Sequence, residues 1–166
     1  TRLGYNKIDL DWIRILLEQK LPALTVHLRT RKEMSLVDAH WDLMSEIVKL
    51  RDAISPSTKI IGNGDVISKN DGEEKIAKSG CDGVMVGRGV FGKPWFFADR
   101  AGVKNADERY MQPEFRLKIM IEHAKAFEKT FKNIKSFDIM KKHFKAYVSG
   151  WDGAKELRVE LMGAKS

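Results

Sequence analysis

Two short turns hold the residues best suited to chemistry. Asn63-Gly64-Asp65 and Gly87-Arg88-Gly89 each follow an apolar run that stops abruptly. Glycine lets backbone N–H groups close up on an anion. Arg88 forks two hydrogen bonds to phosphate oxygens, while Asn63 and Asp65 offer side-chain contacts to a polar ligand. A third candidate lies earlier, where the run Ala23 to Leu28 delivers His27, and just beyond it Arg29 and Thr30. A histidine in a strand is often a packed residue with one satisfied nitrogen, and two glycine-bearing turns often do no more than reverse a chain. The level placement of His27 with both turns, and of the turns with each other, favours a phosphate or nucleotide-cofactor site.

That placement follows from the elements. Lys59 to Gly62 and Gly83 to Gly87 are short apolar strand candidates, joined by a helical segment around Asn70 to Ser79. Strand, helix, strand makes the two strands parallel, so both turns sit at the same end. In (β/α)8 barrels the phosphate site usually follows the seventh and eighth strands. Upstream, Lys7 to Lys20 is an expected helix burying Ile8, Trp12, Ile15 and Leu16, stopped by Pro22. Trp41, Met44, Ile47, Val48 and Leu50 to Arg51 mark a second helix ending at Ser55-Pro56, and Thr1 to Gly4 reads as the end of a further strand. The first hundred residues therefore hold about three to four parallel βα units, the back half of a barrel or of an open sheet. Residues 101–112 lack periodicity and are the expected linker.

From Pro113 the pattern turns helical. Phe115, Ile119, His123, Phe127 and Phe131, then Phe137, Met140, Phe144 and Tyr147, then Ala154, Leu157 and Leu161 predict three helices, with Gly150 as a stop and Gly153-Ala154 as a restart. Lys141, Lys142 and Lys145 lie off the apolar stripe of the second.

A chain of 166 residues, 43% hydrophobic, supports a core. It is too short for a whole (β/α)8 barrel of roughly 250 residues. The opening TRLGYNK reads like the tail of a strand, and the chain is expected to be a piece of something longer. Its single cysteine, Cys81, excludes an internal disulfide framework and makes a reducing, cytoplasmic location the expectation. No signal peptide, membrane span or metal site is predicted. The net charge of +7 is uneven, with 12 Lys and Arg against 7 Asp and Glu between 113 and 166, and 18 against 16 elsewhere. Nucleic acid is the partner such a surplus most often serves, the bland alternative being a solvated helical surface.

VHLRTR at 26–31, GNGDV at 62–66, DGVMVGRGVFGKPWFF at 82–97 and the ending MKKHFKAYVSG with GAKELR together resemble the tRNA-dihydrouridine synthase family, along nearly the whole chain. The resemblance implies the C-terminal part of an FMN-binding (β/α)8 TIM barrel over residues 1–100, followed by an all-α tRNA-binding domain over 113–166. In the implied reaction reduced FMN, regenerated by NADPH, passes a hydride to C6 of a uracil, and a cysteine acid protonates C5. Carried over by position, Asn63, Gly64 and Asp65 match the FMN-binding turn after strand seven, Gly87 and Arg88 the phosphate turn after strand eight, and His27 the histidine near the flavin. Arg29 is a further candidate for cofactor or base contact, and Lys141, Lys142 and Lys145 for tRNA.

There are departures. The family's flavin-contacting lysine would fall just before Thr1 and its catalytic cysteine well upstream, so this chain carries no catalytic residue and is expected to be inactive alone. Cys81 lies where the last strand begins and reads as a small buried hydrophobe. Leu28 replaces a glycine of the usual H-G-R-T. Parallel strands without barrel partners leave open edges, so the chain is expected to pair with the missing N-terminal half of the barrel or to self-associate through the open face. Two other readings are a different FMN or phosphate barrel, such as a dihydroorotate dehydrogenase relative, and a non-catalytic basic RNA-binding fragment.

Overall fold

A computed structural model of the chain describes residues 1–97 and 112–163. The chain forms two compact units, Thr1–Gly89 and Val90–Ser166.

In the first unit, β1 (Ala23–His27), β2 (Lys59–Asn63) and β3 (Gly83–Met85) pair in parallel in that order, with α1 (Leu10–Glu18) before them and α2 (Met44–Ile54) and α3 (Lys69–Ser79) between them. His27 is level with Asn63, and Asn63 with Met85. The strand expected at Thr1 to Gly4 is reduced to one parallel bridge, Arg2 to His27. Its flanking bonds run from His27 N–H to Thr1 O at 2.9 Å and from Leu3 N–H to Arg29 O at 3.2 Å.

Local signals set the helix ends. The Asp9 carboxylate accepts the Trp12 N–H, and Ser68 Oγ accepts that of Asp71. Gly80 closes α3 at φ +74°, a conformation that favours glycine. A single 3₁₀ turn, Trp41–Leu43, leads into α2.

The core of this unit gathers Leu3, Ile13, Leu17, Leu24, Val26, Leu28, Met44, Ile47, Ile60 and Cys81. For α1 the buried face differs from the one expected: Ile13 and Leu17 are enclosed, whereas Ile8, Trp12 and Ile15 are 39%, 41% and 50% exposed. The helix has apolar residues on more than one face, and the stripe Leu10, Ile13, Leu17 at i, i+3, i+7 is the one that meets the sheet and α2. Strand β3 stops at Met85 rather than running to Gly87, and the Asn63 side-chain amide takes the Met85 carbonyl at 2.8 Å.

Away from the turns, at the opposite ends of the strands, Asp82 binds Arg51 at 2.6 Å and Lys59 at 2.8 Å and accepts the Ile60 N–H at 2.9 Å. Those partners, Lys59 first, hold its carboxyl far below the usual carboxylate range.

In the second unit the described residues form α4 (Pro113–Phe131), α5 (Ile139–Tyr147) and α6 (Ala154–Gly163). Their core includes Trp95, Met120, Met140, Phe144, Tyr147, Val148 and Ala154. A strict period of four drifts about 40° per step around an α-helix, so the series Phe115 to Phe131 cannot share one face; Arg116 and Met120 are the residues of α4 that become buried. The Arg116 guanidinium donates to Ala146 O at 3.0 Å and Ser149 O at 2.8 Å, satisfying carbonyls at the end of α5. Residues 101–111 of the expected linker lie outside the described residues. Among the described residues no helix is long and apolar enough to cross a membrane, and no cluster of potential metal ligands occurs.

Candidate functional site

The two glycine turns meet. A Cβ on Gly89 would stand 2.4 Å from Val66 O, so the turn after β3 lies flat on the turn after β2 only because residue 89 is glycine. Gly64 takes φ +126° and Asp65 φ +48°, which bends the chain sharply at the tip of β2. The Trp41 indole N–H donates to Gly64 O at 2.8 Å, and its ring covers Gly62, where a Cβ would come within 2.4 Å. Trp41 packs against the core and therefore also braces the turn.

Between the turns lies an open cleft of about 440 Å³, lined by His27, Arg29, Asn63, Gly64, Asp65, Gly87 and Arg88 together with Val66, Ile67 and Gly89. All the candidate residues of the first unit are thus brought together. Val66 and Ile67 are lining residues that the sequence did not single out; Gly89 was read as part of the second turn, but its contact with Val66 was not.

Asp65 is the hub. Its Oδ2 takes the Arg29 guanidinium and accepts the Ala39 N–H at 2.9 Å, while its Oδ1 stands 3.4 Å from Arg88 Nη2. Arg29 hydrogen bonding, reinforced by the Ala39 amide, lowers the Asp65 pKa. Arg29 is 3% exposed and also donates through Nε to Val37 O at 2.6 Å. Asn63 and Asp65 therefore commit their side chains to neighbouring elements. Arg88 remains largely solvent-facing, its side chain 65% exposed. At Gly87 an added Cβ would meet nothing within 4 Å, so the backbone there faces open space.

The cleft is rich in cations. Burial lowers the pKa of His27, and Arg2, Arg29 and Arg88 push it the same way against the opposing pull of Asp65. An exposed arginine, an unobstructed glycine backbone and a histidine held toward its neutral form beside several guanidiniums suit a phosphorylated ligand, whose anionic tail adds the missing negative charge.

Two of the departures, Leu28 and Cys81, are placed by the core. Leu28 is fully buried in the core, so its side chain leaves the cleft, while its N–H donates to Asn63 O at 2.9 Å. Cys81 is 3% exposed in that same core. In the second unit Lys142 and Lys145 are exposed, whereas Lys141 pairs with Asp138 at 2.7 Å.

A model of the dihydrouridine synthase (Dus) family matches residues 1–166. The chain is 43% identical over 169 residues to a probable tRNA-dihydrouridine synthase of Staphylococcus aureus strain Mu50, covering 100% of this chain and 49% of that protein. A counterpart from Staphylococcus epidermidis strain RP62A is 42% identical over 169 residues, and probable tRNA-dihydrouridine synthase 2 of Bacillus subtilis strain 168 is 38% identical over 168. In both cases the match covers 100% of this chain and 50% of the relative, so the chain spans about half the length of the curated relatives it matches. With the family model covering every residue that forms the cleft, the chain belongs to the dihydrouridine synthase family.

Proposed function

We propose that this chain is the cofactor-phosphate half and RNA-binding part of a tRNA-dihydrouridine synthase, its strands being the last of a (β/α)8 barrel and its helices an all-α tRNA-binding domain. The observation that carries the reading is the packing of Gly89 on Val66, which sets Arg88 and the open Gly87 backbone beside the Asn63-Gly64-Asp65 turn. In this reading Arg88 and the backbone N–H groups at Gly87 hold the FMN phosphate. His27 lies beside the flavin ring or the base, and Asn63, Gly64 and Asp65 shape the opposite wall. Arg29 acts through Asp65. When bound and reduced, FMN supplies a hydride for C6 of a uracil, and NADPH restores it.

The chain's own residues bind and orient. Lys142 and Lys145, with Lys141 contributing less because of Asp138, neutralise tRNA phosphates. The uracil must leave the tRNA stack to reach the cleft. Cys81, enclosed in the core, has no access to a base, so the acid for C5 belongs to a part of the protein outside this chain. The half-exposed sheet face at Met85 is covered by the remaining barrel strands, or by a second copy when this chain is alone.

Flavin fluorescence titrations with FMN and with riboflavin test the reading. The 166-residue chain should quench FMN and bind riboflavin far more weakly; equal affinity for both would remove the phosphate from the cleft.

A further inference from the structure

The connection between α4 and α5 forms a groove of about 600 Å³. Phe127, Phe131 and Phe137 line it, with Phe127 and Phe131 centroids 5.0 Å apart and Phe127 and Phe137 6.4 Å apart. Lys132 and Lys135 share the lining. Asn133 at φ +63° turns the chain between them, and Ile134 stands 72% exposed at the rim. Lys135 Nζ rests 4.9 Å from the centre of the Phe131 ring.

Charge and shape point to one kind of occupant. Among the described residues neither Lys132 nor Lys135 forms an ion pair, and the nearby Asp138 is taken by Lys141 at 2.7 Å. Glu128 is the one carboxylate in the lining. Aromatic rings beside unneutralised lysines match a nucleotide outside a helix, whose base stacks on a ring while its phosphates seek cations. A protein partner would need acidic groups and apolar side chains together; an RNA strand supplies anion and flat apolar face in every residue.

We infer that this groove binds a single unpaired RNA nucleotide, its base on Phe131 and Phe127 and its flanking phosphates on Lys132 and Lys135. An arriving base displaces the Lys135 ammonium from the ring face, which frees that cation for phosphate. The inference draws only its class of polymer from the tRNA reading, and the site is distinct from Lys141, Lys142 and Lys145.

A fluorescein-labelled uridylate decamer, titrated by anisotropy at several salt concentrations, tests it with the full chain. Phe131→Leu keeps apolar bulk but removes the ring. It should weaken binding about tenfold with the salt slope unchanged. Lys132→Ala and Lys135→Ala should each flatten the slope by about 0.7, and because Lys135 is exposed its variant decides the matter should Phe131→Leu melt early. Failure of the parent chain to bind the decamer, or identical slopes and affinities across the variants, overturns the inference. So does a change in the sedimentation of RNA-free protein caused by these substitutions, which would make the groove a contact between copies. Decamer binding without binding of an unmodified tRNA transcript sinks the synthase reading and leaves this site standing; tRNA binding without the decamer does the reverse.

Discussion

Arg88 Nη2 stands 3.4 Å from Asp65 Oδ1, although 23 positions separate the two residues. The contact is loose and Arg88 is mostly solvated, while Asp65 is already satisfied by Arg29 and the Ala39 amide. Asp65 therefore steers the guanidinium without consuming it, and an incoming phosphate can take Arg88 at little cost.

Arg88→Ala should weaken FMN binding by about 1.5–3 kcal/mol, the usual worth of a hydrogen bond to a charged group, and leave riboflavin binding as it was. Side-by-side fluorescence titrations check this. An equal loss for both ligands would assign Arg88 to the ring end of the cofactor.

The two glycines of the second turn should separate fold from binding. A Cβ at Gly89 collides with the Val66 carbonyl, and backbone cannot swing aside. Gly89→Ala is expected to lower the melting temperature and FMN affinity together. Gly87→Ala meets no protein atom, so it should leave the melt unchanged while reducing FMN affinity. Thermal melts paired with binding isotherms distinguish the two outcomes.

Much of this site was legible beforehand because β-branched runs ending in glycine announce a parallel strand and its turn, and β1, β2 and β3 fall within a few residues of where the runs lie. The duties of individual side chains were not. Sequence shows that Asp65 is an acid, but not that Arg29, 36 positions earlier, occupies it. Leu28 stands where the family's usual H-G-R-T has glycine, and alternation with Leu24 and Val26 turns its side chain into the core. In α1, where apolar residues lie on more than one face, the expected face through Ile8, Trp12 and Ile15 was the wrong one, because α2 and the sheet enclose Ile13 and Leu17 instead.

Asp82→Asn should cost about 1.5–3 kcal/mol, the usual worth of a hydrogen bond to a charged group, since Asp82 keeps 21% exposure and Arg51 retains Asp52 at 2.7 Å. FMN affinity should not change, because the Arg51 network lies at the other end of the strands. The folded carboxyl has a depressed pKa, so its contribution is complete above about pH 4 and fades as pH falls further. Urea melts of both proteins from neutral to acid pH should converge at the acid end.

In the second unit the His143 ring packs 5.1 Å from His123, which bonds Tyr147 Oη at 3.2 Å, and 5.7 Å from Phe91. Burial lowers the His143 pKa, helped by His123 and Lys142. The unfolded chain then takes up the proton first as pH falls, so stability should decline below about pH 6.5. His143→Gln should remove part of that decline in melts between pH 7.5 and 5.5; an unchanged profile would exclude His143 as its source.

Changing Lys142 and Lys145 to Ala should lower tRNA affinity and reduce the salt slope by roughly 1 per lysine. Lys141→Ala should do less, because Asp138 already neutralises that ammonium. Filter binding across a salt series reads both.

The claim that two turns share one anion is tested most directly by nuclear magnetic resonance on ¹⁵N-labelled chain titrated with FMN. The amides of Gly64, Gly87 and Arg88 should shift together with a single dissociation constant. A response confined to one turn, or two different constants, would contradict the account.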